Sequence, residues 1–118
     1  MLLIEIEIRE TKSKRHPIAV FSDQFIAQGE VVWVFDPRLD ISIDSEDIFD
    51  LQETPKRFLT KNAFRDMDGT SLLVCSMGEN FIRRSSKDGN ISMDKSYLKG
   101  DWYAIRDIEP GEELVISL

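Results

Sequence analysis

Arg83 and Arg84 stand side by side and are followed by Ser85 and Ser86. Two guanidinium groups so placed can grip a carboxylate or phosphate through paired N–H donors, or can simply be solvated. Asp66-Met67-Asp68-Gly69-Thr70 has the spacing of a phosphoryl-transfer site, with a carboxylate nucleophile and a second acid two residues on. That chemistry needs the nucleophile at the end of a buried strand, and the preceding Lys61-Asn62-Ala63-Phe64-Arg65 is not one. A turn is therefore expected at 66–69. Cys75 and His16 would make a thiol–imidazole pair if they met. Cys75 follows Leu72-Leu73-Val74, so a buried core thiol is expected, and His16 reads as a turn residue.

The elements that must position these residues are mostly strands. Leu2 to Arg9 alternates, with Ile4, Ile6 and Ile8 on one face and Glu5, Glu7 and Arg9 on the other. Ile18 to Phe21, Glu30 to Phe35, Ser71 to Cys75, Trp102 to Ile105 and Glu113 to Ser117 are rich in β-branched or aromatic residues and read as further short strands. Helix signals are confined to the middle. Ser45 is expected to cap Glu46 to Leu51, and Thr54-Pro55 to open a helix over Lys56 to Asn62 that turns Phe58 and Leu59 inward. Lys87-Asp88-Gly89-Asn90 is expected to turn through residues tolerant of positive φ. One motif occurs twice: Ile26-Ala27-Gln28-Gly29-Glu30-Val31 and Ile108-Glu109-Pro110-Gly111-Glu112-Glu113 each carry Ile-x-x-Gly-Glu before an aliphatic strand. Many short strands with little helix predict an α+β fold, mainly β, built on non-local pairing.

Length and composition narrow the function classes. The chain has 118 residues, consistent with one domain over 1–118. It has a single cysteine, so no internal disulfide forms and a reducing, cytoplasmic setting is expected. One histidine and one cysteine cannot supply a four-ligand zinc site alone, and no metal is expected. No apolar run is long enough to cross a bilayer, and the acid-interrupted Met1 to Glu7 is not expected to be a signal peptide. The net charge of −7 repels phosphate backbones, which argues against nucleic acid and for a protein or basic peptide as partner.

Three blocks together resemble the SET domain, a β-clip fold whose members include protein-lysine methyltransferases that use S-adenosylmethionine. Val20-Phe21-Ser22-Asp23-Gln24-Phe25-Ile26-Ala27-Gln28-Gly29-Glu30-Val31-Val32 is similar to the family's opening pattern. Trp33 to Pro37 looks like the next strand in small bacterial members. Glu79-Asn80-Phe81-Ile82 resembles the segment leading to the family's Asn-His-Ser motif, and Ala104 to Ile116 resembles the closing Arg-Asp-Ile-x-x-Gly-Glu-Glu-Leu pattern. The resemblance spans roughly residues 3 to 118.

The resemblance also assigns site positions, and the residues there depart from the family. The two turn glycines that approach the cofactor fall on Pro17 and Ala19, flanking Ile18. Proline fixes φ and lacks an N–H, and alanine disfavours positive φ. The family's Asn and His fall on Arg83 and Arg84, with Ser85 matching, or on Arg84 and Ser85 in a register shifted by one. S-adenosylmethionine is a cation, so arginines are a poor cradle for it. The family's catalytic tyrosine falls on Leu118, which has neither donor nor acceptor, while Tyr97 and Tyr103 lie too early in the chain. Pro17, Ile18, Ala19, Arg83, Arg84 and Ser85 are thus the cofactor-wall positions, and no catalytic residue is assigned. The expected function is a degenerate SET-like binding module without cofactor. The alternative is a lysine methyltransferase with a divergent site and S-adenosylmethionine as cofactor. The aromatics Trp33, Phe35, Phe58, Phe64, Phe81, Trp102 and Tyr103 are expected mostly in the core, with some free to line a lysine channel as in the family.

Overall fold

β-branched and aromatic side chains decide where this chain extends, and glycines decide where it turns. In the computed structural model, residues 1–65, 70–93 and 100–118 are described. The expected turn at 66–69 and the Tyr97 position lie outside the described residues. Ile6–Glu10 (β1) and Ile18–Ser22 (β2) form an antiparallel hairpin, registered from Ile6↔Ser22 to Glu10↔Ile18. Val31–Trp33 (β3) follows, then Asp40–Asp44 (β4), the short helix Ser45–Phe49 (α1) and the helix Glu53–Asn62 (α2). Phe64–Arg65 (β5) and Ser71–Cys75 (β6) come next, then a 3-10 turn over Glu79–Phe81. Arg83–Ser85 (β7), Ile91–Ser92 (β8), Trp102–Ala104 (β9) and Val115–Ser117 (β10) complete the order.

Three sheets result: β1-β2, the three-stranded β4-β6-β5, and the five-stranded β3-β9-β8-β10-β7. In the largest, β10 lies between β7 and β8 and runs parallel to both, while β8 and β3 run antiparallel to β9. The core sits where the sheets meet. Val20, Ile26, Val32, Ile91, Ala104, Ile108 and Leu114 are fully buried there. The Trp33 and Trp102 rings stack with centroids 4.6 Å apart, and Phe64 meets Trp102 edge-on at 5.0 Å.

The repeated motif has a structural counterpart. Gly29 and Gly111 both turn with positive φ, 86° and 85°. Ile26 and Ile108 exchange backbone hydrogen bonds of 2.9 and 2.8 Å, so the two units pair with each other across the core.

Several local expectations are corrected. Asp44, not Ser45, occupies the N-cap of α1, and no side chain caps it. Gln52, not Thr54, precedes α2, which places Pro55 inside the first turn, where its missing N–H costs no helical bond. Phe58 is 63% exposed and does not turn inward, and Phe35 and Phe81 are also exposed. Gly89 is not among the positive-φ glycines; a Cβ there would stand 2.5 Å from Ser117 Cα, so it is close approach of two backbones that requires glycine. Ile8, on the apolar face of β1, is 45% exposed because that face runs past the core. Cys75 packs against the core as expected but is only half-buried, and it also lies beside carboxylates. The strand β4, Asp-Ile-Ser-Ile-Asp, is not among the expected elements although it alternates.

Candidate functional site

The site is built where β10 passes between its two parallel neighbours. Arg83, Arg84 and Ser85 pair in register with Val115, Ile116 and Ser117. Successive side chains of a strand point to opposite faces, so the two arginines part company.

Arg83 is engaged by carboxylates. Its Nε donates to Glu113 Oε2 at 3.1 Å and its Nη2 to Asp88 Oδ2 at 2.7 Å. Those two hydrogen bonds hold its pKa above the usual arginine value. In return the Arg83 hydrogen bond holds the Asp88 carboxyl down to about 2, against 3.8 ordinarily. Arg83 thus clamps the 86–90 loop to the segment entering β10, and its charge is answered locally. The folded carboxyl is the more acidic, so its stabilising effect is complete above the unfolded value and fades as pH falls through about 2. Thermal unfolding followed from pH 5 to pH 2 is expected to show a shallower acid decline for Asp88→Asn than for the parent. Identical declines would mean the clamp is not formed in solution.

Arg84 points the other way. Its guanidinium carbon lies 4.5 Å from the Phe64 ring centroid, and its Nη2 donates to Ala63 O at 3.4 Å. Burial pushes its pKa down, and no carboxylate among the described residues pairs with it. Arginine stays charged even so. The group borders a cavity of 520 Å³ whose walls include Phe64, Arg65, Met93, Ile116, Ser117 and Leu118. Leu118 is held there by its backbone N–H to Ser85 O at 3.2 Å. Ser85 Oγ accepts the Lys87 N–H at 3.1 Å.

The other expected wall residues sit on the hairpin. Ala19 is buried opposite Arg9 and Ile18 is 38% exposed opposite Glu10. Pro17 is exposed, with its carbonyl accepting the Thr11 N–H at 2.8 Å. None of the three lines the Arg84 cavity. The structure therefore brings Arg84, Ser117 and Leu118 to one cavity, turns Arg83 away from it, and leaves 17–19 on the hairpin.

One residue of this region is missed by sequence reasoning. Asn90 is fully buried; its Oδ1 accepts the Val115 N–H at 2.8 Å and its Nδ2 donates to Glu113 O at 2.8 Å. Asparagine after glycine looks like an ordinary turn, so local sequence carries no sign of that role. A second concavity, lined by Ile43, Leu51, Pro55, Phe58 and Leu59, opens beside α1 and α2.

The fold is that of SET domains. A structure from Plasmodium falciparum, a candidate histone methyltransferase, superposes at TM-score 0.63 with 18% identity, covering 98% of this chain and 94% of that one. The Neurospora SET-domain protein DIM-5, a histone lysine methyltransferase, gives TM-score 0.66 and 23% identity over 98% of this chain and 52% of its own. CpSET8 from Cryptosporidium gives 0.65 and 15%, with 97% and 57% covered. The chain thus spans little more than half the length of the last two. No family model matches the sequence, and neither does any curated protein. At these identities the likeness describes the fold. It matches the mainly β, short-helix architecture expected from the sequence.

S-adenosylmethionine, the cofactor this fold family implies, carries a carboxylate that Arg84 could pair with, but no acidic side chain among the described residues lining the Arg84 cavity answers its two cations. Its sulfonium and ammonium cations would meet the Arg84 guanidinium, which no carboxylate among the described residues answers, beside the apolar Leu118. Among the described residues no helix is long and apolar enough to cross a membrane.

Proposed function

We propose that residues 1–118 form a SET-fold module that binds a basic protein segment and transfers no methyl group. The observation that supports this reading is that Arg84 and Leu118 border one cavity, at positions where the resemblance expects histidine (asparagine in the shifted register) and tyrosine. A cation and an alkyl group at those two positions replace the groups that would hold a cationic donor and orient a lysine amine. The net charge of −7 favours a basic protein or peptide over nucleic acid. The groove beside α1 and α2 suits such a segment: its floor is apolar, and the exposed acids Asp44, Glu46 and Asp47 belong to β4 and α1, which border it. A lysine- or arginine-rich segment with apolar anchors would meet both features. A cytoplasmic setting and the absence of a resident cofactor belong to this reading.

Calorimetric titration with S-adenosylmethionine, paired with a labelled-methyl assay on lysine-rich peptides, tests it. No saturable heat up to millimolar cofactor and no label on peptide are expected, while basic peptides bind with salt-sensitive affinity. Saturable cofactor binding tighter than ~100 µM (~5.5 kcal/mol), or label on lysine, would instead make the chain a protein-lysine N-methyltransferase with a divergent site. Failure of every basic peptide to bind at low salt would sink the partner assignment.

A further inference from the structure

Away from the Arg84 cavity, three potential ligands converge on the rim of the three-stranded sheet. Asp40 opens β4 and Cys75 ends β6, and the two are direct partners in the ladder. Glu79 follows four residues later in the 3-10 turn. One donor atom from each of the three lies within 4.8 Å of the others. The Asp40 and Glu79 side chains are wholly removed from solvent.

Charge at this place is not balanced. Asp40 Oδ2 accepts the Met1 ammonium at 2.6 Å and the Asp36 N–H at 2.9 Å. The same ammonium is 3.9 Å from Glu79, whose oxygens also accept Trp33 Nε1–H at 3.0 Å and the Met77 N–H at 2.6 Å. Among the described residues, two buried carboxylates therefore face one cation. Asp40 Oδ1 is buried with no hydrogen-bond partner. The nearby thiol is a weak donor and does not satisfy it in good geometry. A buried carboxylate oxygen left bare is costly, and a cation is the natural answer to it.

We propose that Asp40, Cys75 and Glu79 form a binding site for a zinc-class divalent cation. Two carboxylates and a thiolate suit zinc, or cobalt as its probe, better than magnesium or calcium, which favour oxygen alone. Tetrahedral zinc would hold these donors about 3.3–3.5 Å apart, so binding draws them in from their present separations of up to 4.8 Å. The fourth position falls to water or to the Met1 nitrogen. Coordination sends the thiol proton, and the ammonium proton if that nitrogen joins, to solvent. The single cysteine is enough for such a site, because the two carboxylates complete the set and no histidine is needed.

Cobalt(II) titrated into the folded, reduced protein tests the site. Cys75 is the chain's single cysteine, so a sulfur-to-cobalt charge-transfer band in the near ultraviolet reports this place alone. One equivalent is expected to produce the band together with visible absorption of tetrahedral intensity, and zinc is expected to bleach both. Cys75→Ser should abolish the band, and Asp40→Asn should weaken zinc binding about tenfold or more. No charge-transfer band from the parent protein with circular dichroism unchanged, or zinc affinity indifferent to Cys75→Ser, would overturn the assignment. The parent spectrum decides the matter even if a variant fails to fold.

Discussion

Trp102→Ala is expected to remove about 3–5 kcal/mol of folding stability. Trp102 is 2% exposed, stacked on Trp33 from β3 and met edge-on by Phe64 from β5. One side chain therefore joins the five-stranded sheet to the three-stranded one. Truncation leaves a void that strands on two separate sheets cannot close by a small shift, so both the transfer loss and the cavity penalty apply. Small domains are stable by about 5–15 kcal/mol, so the variant would lose a large share of the total. Urea unfolding should show a lower midpoint with an unchanged slope. A loss below about 1 kcal/mol would mean the sheets do not close on this ring.

Asn90→Ala should be nearly as severe, by about 2–4 kcal/mol, for a different reason. The side chain has no apolar contact to lose on that scale. It serves the Val115 N–H and the Glu113 carbonyl, the two backbone groups that fix where β10 begins. Alanine leaves the N–H of a 3% exposed residue without a partner. Asn90→Asp keeps the acceptor for Val115 but loses the donor and sets a carboxylate beside Glu112, 3.3 Å from the present Nδ2, so it should not rescue. Hydrogen exchange reads the effect directly: the β10 amides should lose protection ahead of those in β6. Uniform loss across the molecule, or none, would contradict the role assigned to Asn90.

What was legible in the sequence was whatever local residue types decide. The strands around Val20, Val32, Leu72 and Trp102 follow from β-branched and aromatic clusters. The two Gly-Glu turns follow from the repeated motif, and their mutual pairing through Ile26 and Ile108 is consistent with it. Caps were misread because Ser45 and Thr54 look like ideal caps, while no side-chain cap forms at either helix. The candidate site was legible only as positions. Its positions came from family-like spacing, but the direction of each arginine did not. Arg84 lies over Phe64, and Arg83 bonds Glu113, 30 residues on. Such pairings are set by how the sheets meet, and no local pattern encodes them. The Asp40–Cys75–Glu79 cluster was invisible for the same reason: only the β4–β6 ladder brings the first two face to face.

The position of β10 constrains the order in which this protein can be made. Its slot between β7 and β8 is bounded by strands that leave the ribosome earlier, and both neighbours run parallel to it. Until residues 115–117 emerge, β7 and β8 have no strand to bridge them, and Ile91 lacks its cover. The five-stranded sheet therefore closes only once residues 115–117 are in place. Truncation before Val115 is therefore expected to leave Ile91 uncovered and the shortened chain prone to aggregate.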